Sequence, residues 1–222
     1  MSFFSIFLFS LVGAGLALAS TTSYVWPNPK TDFLEALAYQ ETGYNEYLFA
    51  VLARICPGVA IGLGRASTAE WLRTAYHDMA TADVHTGQGG MDASISFELS
   101  RPENVGSAFN ETLGQFVPFI SSRSSMADML SLGAIAAVLS CTHGSVVIPF
   151  RGGRIDATGP GPAGVPQPQE DLDSHKTNFE RQGFNTSEMI GLVACGHTLG
   201  GVHGVDFPEI VNVTKTTVRR PL

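Results

Sequence analysis

Two histidine-bearing stretches, 120 residues apart, constrain this chain of 222 residues more than any other feature. In the first, Arg73 and His77 stand four positions apart. Positions i and i+4 of an α-helix share one face, so a guanidinium and an imidazole would point into the same space. In the second, an apolar run from Met189 to Cys195 leads into His197. This pattern is suited to two helices that line a cavity, with Arg73 and His77 on one side and a lone histidine on the other.

Helix signals dominate the rest of the chain. The run Ser67-Thr68-Ala69-Glu70 predicts a capping box that opens the helix bearing Arg73 and His77. Ser125 and Ser187 precede apolar runs and are expected N-caps. Further helices are expected over residues 33–39, 105–121 (where Pro118 is a potential break), 129–139 and up to His197. At this length, the pattern predicts one all-α domain.

Six glycines and several prolines lie between Cys141 and Asp171 and exclude a long helix there. We interpret this segment as an ordered connection between two helical halves, with a linker between separate domains as the alternative. The net charge is −7, and the chain has no basic run apart from Arg219-Arg220. Nucleic acid is therefore not an expected partner.

The N-terminal segment predicts export. Residues 1–19 are mostly apolar and end in Ala17-Leu18-Ala19, which is typical of a signal peptide and its cleavage site, with a membrane anchor as the alternative. Glycosylation sequons begin at Asn110, Asn185 and Asn212. Capping of a helix is an equally good explanation for Asn185. We expect a secreted protein without stable membrane contact after cleavage.

Five elements, in order, resemble the plant, fungal and bacterial haem peroxidase superfamily, and the secreted fungal members most. They lie between residues 66 and 204. The five are the Arg73/His77/Asp78 motif, Gly90-Met91-Asp92-Ala93-Ser94, Asn104, Gly153-Arg154-Ile155-Asp156-Ala157 and Gly196-His197-Thr198. The resemblance implies an all-α fold that holds haem b between a distal and a proximal half.

The resemblance also implies roles for these residues. His77 would be the base that moves a proton of H2O2, and Arg73 the cation that stabilises the leaving oxygen. Asn104 would accept a hydrogen bond from His77, although a helix cap is an alternative explanation for Asn104 alone. His197 would be the proximal iron ligand, and His203 would contact a haem propionate.

A calcium site is implied next to His77. Its ligands would be the Asp78 and Asp92 carboxylates, the Ser94 hydroxyl and the Gly90 carbonyl, all hard oxygen donors. The alternative is an ordinary acidic turn. Thr198 matches a residue of a second, proximal calcium site in secreted relatives.

Three cysteines leave one unpaired in an oxidising compartment. The resemblance implies a disulfide between Cys56 and Cys141, which flank the distal half. Cys195 is expected to be a buried, small apolar residue. The alternative is that Cys141 or Cys195 pairs with a cysteine outside this chain.

The leading hypothesis is a secreted, monomeric peroxidase that reduces H2O2 and oxidises small, plausibly phenolic, donors in one-electron steps. Residues 20–222 would form its domain, with the C-terminal helices of the family missing. In the family, a proximal aspartate follows the ligand histidine by roughly 50–60 residues, whereas Asp206 stands only nine residues after His197. The alternative hypothesis is therefore a truncated, inactive, peroxidase-like secreted protein.

Overall fold

The structure is a computed structural model that describes Leu34 and residues 66–204, 206–208 and 216–218. Helices account for about half of this part and strands for only six residues, which confirms the expected all-α class. The helices are α1 (Ser67–Met79), α2 (Ala108–Phe116), α3 (Met126–Cys141), α4 (Leu172–Arg181) and α5 (Thr186–Gly196). Short 3-10 turns cover Ser94–Phe97, Pro102–Asn104 and Val117–Phe119. Two three-residue strands, β1 (Gly201–His203) and β2 (Thr216–Val218), pair antiparallel.

The core lies where α1 packs against α2 and α3. Trp71 of α1 is fully buried, and its ring centroid lies 5.1 Å from that of Phe116 in α2. A Cβ at Gly133 of α3 would overlap the Phe116 ring, so the glycine lets α2 and α3 approach closely. Nearly all of the first three turns of α3 is buried, as expected of a helix that is apolar on every face.

Side chains from far along the sequence hold the N-terminus of α3. Ser125 accepts a hydrogen bond from the Asp128 amide, which confirms it as the N-cap. The Asp156 carboxylate accepts from the amides of Met126 and Ala127 at 3.0 and 2.8 Å. Arg154 pairs with the buried Asp128 at 3.1 Å. Arg154 therefore forms its ion pair with Asp128, while Asp156 serves as a second cap.

A single arginine joins α4 to the end of α1. The Arg181 guanidinium donates to the carbonyl oxygens of Ala80 and Thr81 at 2.8 and 3.1 Å, and to that of Gly164 at 2.8 Å. The last carbonyl groups of a helix have no partner within it, and a cation there also offsets their negative potential. Arg181 thus fixes the end of the helix that carries His77.

Three sequence expectations about helix ends were wrong. Helix α1 begins after Ala66 without a side-chain cap, and the Ser67 hydroxyl is buried without a partner among the described groups. Helix α5 begins at a capping box formed by Asn185 and Glu188 instead of at Ser187. The predicted 105–121 helix is limited to α2, because the chain tightens into a 3-10 turn around Pro118, which cannot donate a backbone hydrogen bond.

The segment between α3 and α4 contains no helix, as the glycines predicted. Leu34 is helical and buried. The rest of the predicted 33–39 helix, the predicted signal peptide, Cys56 and Asn212 lie outside the described residues. Within the described ranges, no helix is long and apolar enough to cross a membrane.

Candidate active site

Arg73 and His77 lie on one face of α1, as their spacing predicted, and His77 is buried. The Nδ1 atom of His77 is 2.8 Å from Oδ1 of Asn104. The Nδ2 group of Asn104 donates to the Glu98 carbonyl oxygen at 2.9 Å, which fixes the orientation of the amide. Oδ1 must therefore accept, so Nδ1 of His77 carries the hydrogen and Nε2 keeps its lone pair.

The surroundings of His77 hold it in the neutral form. Burial, and after it the Arg73 charge, lower the pKa of His77 to about 4, while the hydrogen bond to Asn104 opposes both. At neutral pH, Nε2 is consequently free to take a proton. Burial also lowers the pKa of Arg73, against the charges of Asp206 and Glu70. A guanidinium starts from a pKa so high that Arg73 remains a cation.

Aromatic rings lie next to both Arg73 and His77. The Arg73 guanidinium lies 4.6 Å from the ring centroid of Phe109 and 5.8 Å from that of Phe207. The His77 and Phe109 ring centroids are 4.8 Å apart. One guanidinium nitrogen, Nη2, donates to the Val105 carbonyl oxygen at 2.9 Å. These contacts orient Arg73 and limit the water around His77, which strengthens electrostatic interactions there.

Tyr76 connects this side of the site to α4. Its ring is edge-on to His77, with centroids 6.1 Å apart, and stacks on Phe179 at 6.3 Å. Burial raises the pKa of Tyr76 to about 12. Tyr76 is thus a neutral phenol that lies between His77 and Phe179 of α4 and supports α1 next to His77.

The second histidine terminates α5. His197 is the C-cap residue, is exposed, and its Nδ1 group donates to the Val193 carbonyl oxygen at 2.8 Å. That bond leaves Nε2 as the atom available to a metal, which is how ligating histidines are usually oriented. Thr198, also exposed, donates through Oγ1 to the Cys195 carbonyl oxygen at 2.6 Å. Nothing in this geometry gathers calcium ligands around Thr198.

The expectation that Cys195 is buried was wrong. It is an exposed, free thiol, and Met189 is the buried residue of α5. Helix α5 packs against α4, and its apolar residues Ile190 and Val193 stay exposed. An apolar composition predicts that a helix is buried, but it does not show which residues would bury it.

Cys141 is disulfide-bonded. Because Cys56 lies outside the described residues, the pairing of Cys141 with Cys56 stays a prediction.

The chain that follows His197 returns to α1. A Cβ at Gly200 would lie 2.5 Å from the Ala69 Cβ, so the backbone there touches the helix one turn before Arg73. Three residues of chain span at most about 11 Å, which limits how far His197 lies from this contact. Further on, Asp206 and Phe207 face Arg73. The structure thus brings the neighbourhood of His197 to the α1 face that carries Arg73.

His203 belongs to β1, where it pairs with Thr216, and its side chain is half-buried. Its carbonyl oxygen accepts hydrogen bonds from the amides of Asp206 and Phe207 at 3.1 and 2.9 Å. This turn aims both residues at α1.

The expected calcium ligands occupy one loop. Asp78 accepts three backbone hydrogen bonds: Oδ2 from Asp92 and Ala93 at 3.0 and 2.8 Å, and Oδ1 from Ile95 at 3.0 Å. Burial raises the pKa of Asp78 to about 7, against these amides. The Ser94 amide donates to Oδ1 of Asp92 at 3.1 Å, while the buried Ser94 hydroxyl has no hydrogen-bond partner in the described part of the chain.

Gly90 completes this loop, and its carbonyl oxygen accepts from the Asp92 amide at 2.9 Å. Among the described residues, no group of three or more His, Cys, Asp or Glu side chains is gathered as a metal cluster. The oxygen donors available to a cation here are therefore two carboxylates, one hydroxyl and backbone carbonyls.

The sequence did not reveal all of the residues around Arg73. Phe109 reaches Arg73 from α2, and Gly200, Asp206 and Phe207 reach α1 from the chain after α5, so all four contacts depend on tertiary packing. Asp206 carried one signal, because it is the single aspartate after His197. Nothing in the sequence indicated that its carboxylate would face Arg73.

Comparison with known proteins identifies the group to which this arrangement belongs. A family model described as "Peroxidase" matches residues 58–220. A WSC domain-containing protein from Arthroderma benhamiae is 48% identical over 205 residues, which are 91% of this chain and 28% of that protein. The peroxisomal L-ascorbate peroxidase 5 of Arabidopsis thaliana is 36% identical over 134 residues, covering 60% of this chain and 47% of its own length.

Manganese peroxidase 3 of Phlebia radiata is 32% identical over 149 residues, which are 62% of this chain and 40% of that enzyme. The chain thus spans less than half the length of each of these relatives. The family match nevertheless covers most of the chain, including Arg73, His77, Asn104 and His197. The chain belongs to the peroxidase family.

Proposed function

We propose that this protein is a haem peroxidase that reduces H2O2 at the expense of small organic donors. One observation carries the proposal: a buried, neutral His77, oriented by Asn104, lies beside the fixed guanidinium of Arg73. A base without a cation, or a cation without a base, would serve many functions. The two on one helix face suit the cleavage of an O–O bond.

The residues present fit a haem group. The peroxidase family implies that cofactor, and Nε2 of His197 is the ligand atom left available by the Nδ1 bond to Val193. His203 is the candidate contact for a propionate. When bound, haem supplies the two electrons that peroxide reduction requires. The protein supplies the ligand, the proton transfers and the electrostatic field.

His77 moves one proton in this mechanism. Its Nε2 atom takes the proton from one oxygen of H2O2 and returns it to the other as the O–O bond breaks, so that water leaves. Arg73 donates hydrogen bonds to the departing oxygen and stabilises the negative charge that develops on it. Because burial keeps the pKa of His77 near 4, the base is ready at neutral pH.

The complete reaction balances with two donor molecules. Each donor gives one electron and one proton, and together they convert H2O2 into two molecules of water. Phenols are suitable donors because they lose an electron and a proton together. We propose phenols as the substrate class on the general character of secreted relatives.

We also propose a calcium ion bound by Asp78, Asp92, Ser94 and the Gly90 carbonyl. The support is the buried Ser94 hydroxyl without a partner, next to two carboxylates. Calcium should raise the melting temperature, and Ser94→Ala should remove most of that increase. If the melting temperature does not change over a calcium titration, the loop that contains Asp78 and Asp92 is an ordinary acidic turn and does not bind calcium. A second calcium at Thr198 remains a proposal without a structural argument.

The cellular setting is likewise proposed. Residues 1–19 would be a signal peptide, residues 20–222 the peroxidase domain, and the mature protein a secreted, glycosylated monomer with a Cys56–Cys141 disulfide. The support is the apolar N-terminus, the three sequons and the disulfide-bonded state of Cys141. Mass spectrometry of the secreted protein tests the cleavage site, the glycans and the disulfide together.

A second candidate function is a secreted protein without catalysis. The exposure of His197, Ile190 and Val193 favours it, because a proximal ligand normally lies in an apolar environment. Haem titration separates the two functions. Stoichiometric uptake with a Soret band, lost in His197→Ala and retained in His85→Ala, supports the enzyme. His85 is exposed in a loop and is the matched control.

Turnover then tests the chemistry. Arg73→Leu and His77→Ala should each lower kcat/KM for H2O2 by about 100-fold or more. A protein that takes up no haem and shows no turnover is the non-catalytic candidate, whereas turnover that both substitutions leave unchanged contradicts the roles of Arg73 and His77.

A further inference from the structure

We propose that Asp206 selects donors by their charge, favouring cationic and neutral phenols over anionic ones. The inference rests on the proposed peroxidase function and adds a specificity-determining residue to it. The element that carries Asp206 is the turn after β1, on the His197 side of the site.

The carboxylate of Asp206 faces the active site directly. A Cβ built on Gly106 would lie 3.2 Å from Oδ2 of Asp206 and 3.4 Å from Nη1 of Arg73. The two charged groups thus stand on either side of a space that the missing side chain of Gly106 leaves open. Gly106 has φ +103, a conformation that favours glycine, so the space is a fixed property of the backbone.

The position of Asp206 is fixed by its turn. The amides of Asp206 and Phe207 both donate to the His203 carbonyl oxygen, and the Phe207 ring lies under the Arg73 guanidinium. The Asp206 side chain is half-buried, so water screens its charge less than that of a fully exposed acid. In this proposal, a donor approaches Arg73 on the side of this turn and passes the carboxylate.

The acidic character of the chain adds to the local charge of Asp206. The Asp206 charge acts on Arg73, whose Nη2 group is already engaged by the Val105 carbonyl oxygen. Glu103 is half-buried in the same connection between the calcium-site loop and α2. The chain as a whole carries a net charge of −7. An anionic donor is therefore repelled locally by Asp206 and generally by the protein, whereas a cationic donor is attracted.

Two phenols of opposite charge test the proposal. Tyramine is a cation and 3-(4-hydroxyphenyl)propionate is an anion, while the oxidised phenol ring is the same. The readout is the ratio of kcat/KM for the two donors, together with the ratio of their Kd values for the resting, haem-loaded protein. Any general effect of a substitution on Arg73 slows both donors equally and cancels in the ratio.

Wild-type protein should prefer tyramine, and Asp206→Asn should reduce the preference about tenfold, as expected for removing one partly screened charge within several ångströms. Asp206→Glu should retain the preference. Asp173→Asn is the matched control: its side chain is 91% exposed on α4, so it changes the net charge equally but away from the site. High salt should weaken the wild-type preference.

The outcomes separate the two proposals. Turnover of both phenols with a ratio that Asp206→Asn leaves unchanged, or that Asp173→Asn changes as much, overturns the role of Asp206 alone. Absence of haem uptake and of turnover overturns the peroxidase function, and the inference with it. A protein that binds haem without turnover still gives the ratio of Kd values, and an equal ratio in wild type and Asp206→Asn also overturns the inference.

Discussion

The hydrogen bond between His77 and Asn104 makes a prediction about the direction of a pH shift. Asn104→Leu keeps a side chain of similar size and removes the acceptor for Nδ1 of His77. The hydrogen bond raises the pKa of His77 against the lowering effects of burial and Arg73. Without it, the pKa should fall below about 4, and the acid limb of kcat/KM for H2O2 should move to lower pH.

The magnitude of the loss follows from the contacts. At neutral pH, Asn104→Leu leaves the Nδ1 hydrogen of His77 without an acceptor and allows the tautomer in which Nε2 cannot accept a proton. We expect kcat/KM to fall 10- to 100-fold, about 1.4–2.8 kcal/mol. The Glu98 carbonyl oxygen also loses its donor. Two unpaired buried groups cost about 2–6 kcal/mol of unfolding free energy, so folding must be checked first.

A second variant should shift the acid limb of kcat/KM in the opposite direction. Asn104→Asp retains an acceptor for Nδ1 and adds a negative charge, which favours protonated His77 and should move the acid limb to higher pH. The assay is stopped-flow reaction with H2O2 from pH 3.5 to 8, with unfolding measured in urea for each variant. If Asn104→Leu moves the limb upward, toward the pKa of a solvated histidine, water has entered the site and the argument from burial is refuted.

Three further predictions concern stability and haem uptake. Because the pKa of His77 is lowered from 6.5 to about 4, the unfolded state binds the proton first, and the unfolding free energy should fall by up to about 1.4 kcal/mol per unit between pH 6.5 and 4. Urea unfolding of His77→Phe should show a flatter profile; an equal slope would contradict the linkage. Asp156→Ala should lower the unfolding free energy by about 1–2 kcal/mol through loss of its cap on α3, and no change in urea unfolding would mean that Ser125 suffices. Gly200→Ala should weaken haem binding about tenfold in a hemin titration, because its Cβ would strike Ala69 and every 1.4 kcal/mol of misfit costs a factor of ten. Gly191→Ala, with open space around it, should bind haem like the wild type, and equal losses in both would refute the steric reason.

Local sequence signals predicted the helical side of the site well. Arg73 and His77 share a face because their spacing matches the helical repeat, and Ser125 caps α3 because a short polar side chain there reaches the Asp128 amide. For the helix face and the cap, a short stretch of sequence determines the geometry, whatever the rest of the chain does. Asn104 lies beside His77, as the family resemblance implied.

The signals failed where long-range contacts decide the outcome. The capping box expected at Ser67 does not form, since Ser67 and Glu70 are buried in the core instead of facing the helix end. Arg154 pairs with Asp128 because the connection lies across the start of α3, which no local pattern encodes. The exposure of Cys195 depends on what covers α5, and hydrophobicity alone gives no information about that.

The hydrogen bonds of Asp156 and Arg181 to the ends of α3 and α1 also affect how the protein folds during its synthesis. An amide in the first turn of α3 donates its hydrogen bond to Asp156, and the carbonyl oxygen of the C-cap residue of α1 accepts one from Arg181. Both partners are translated after the helices that they cap. A nascent chain of only the first 150 residues therefore contains helices whose terminal backbone groups still form their hydrogen bonds with water. The half that carries Arg73 and His77 reaches its final rigidity only after much of the other half has been translated, so a fragment of the first half alone would be a poor scaffold for engineering.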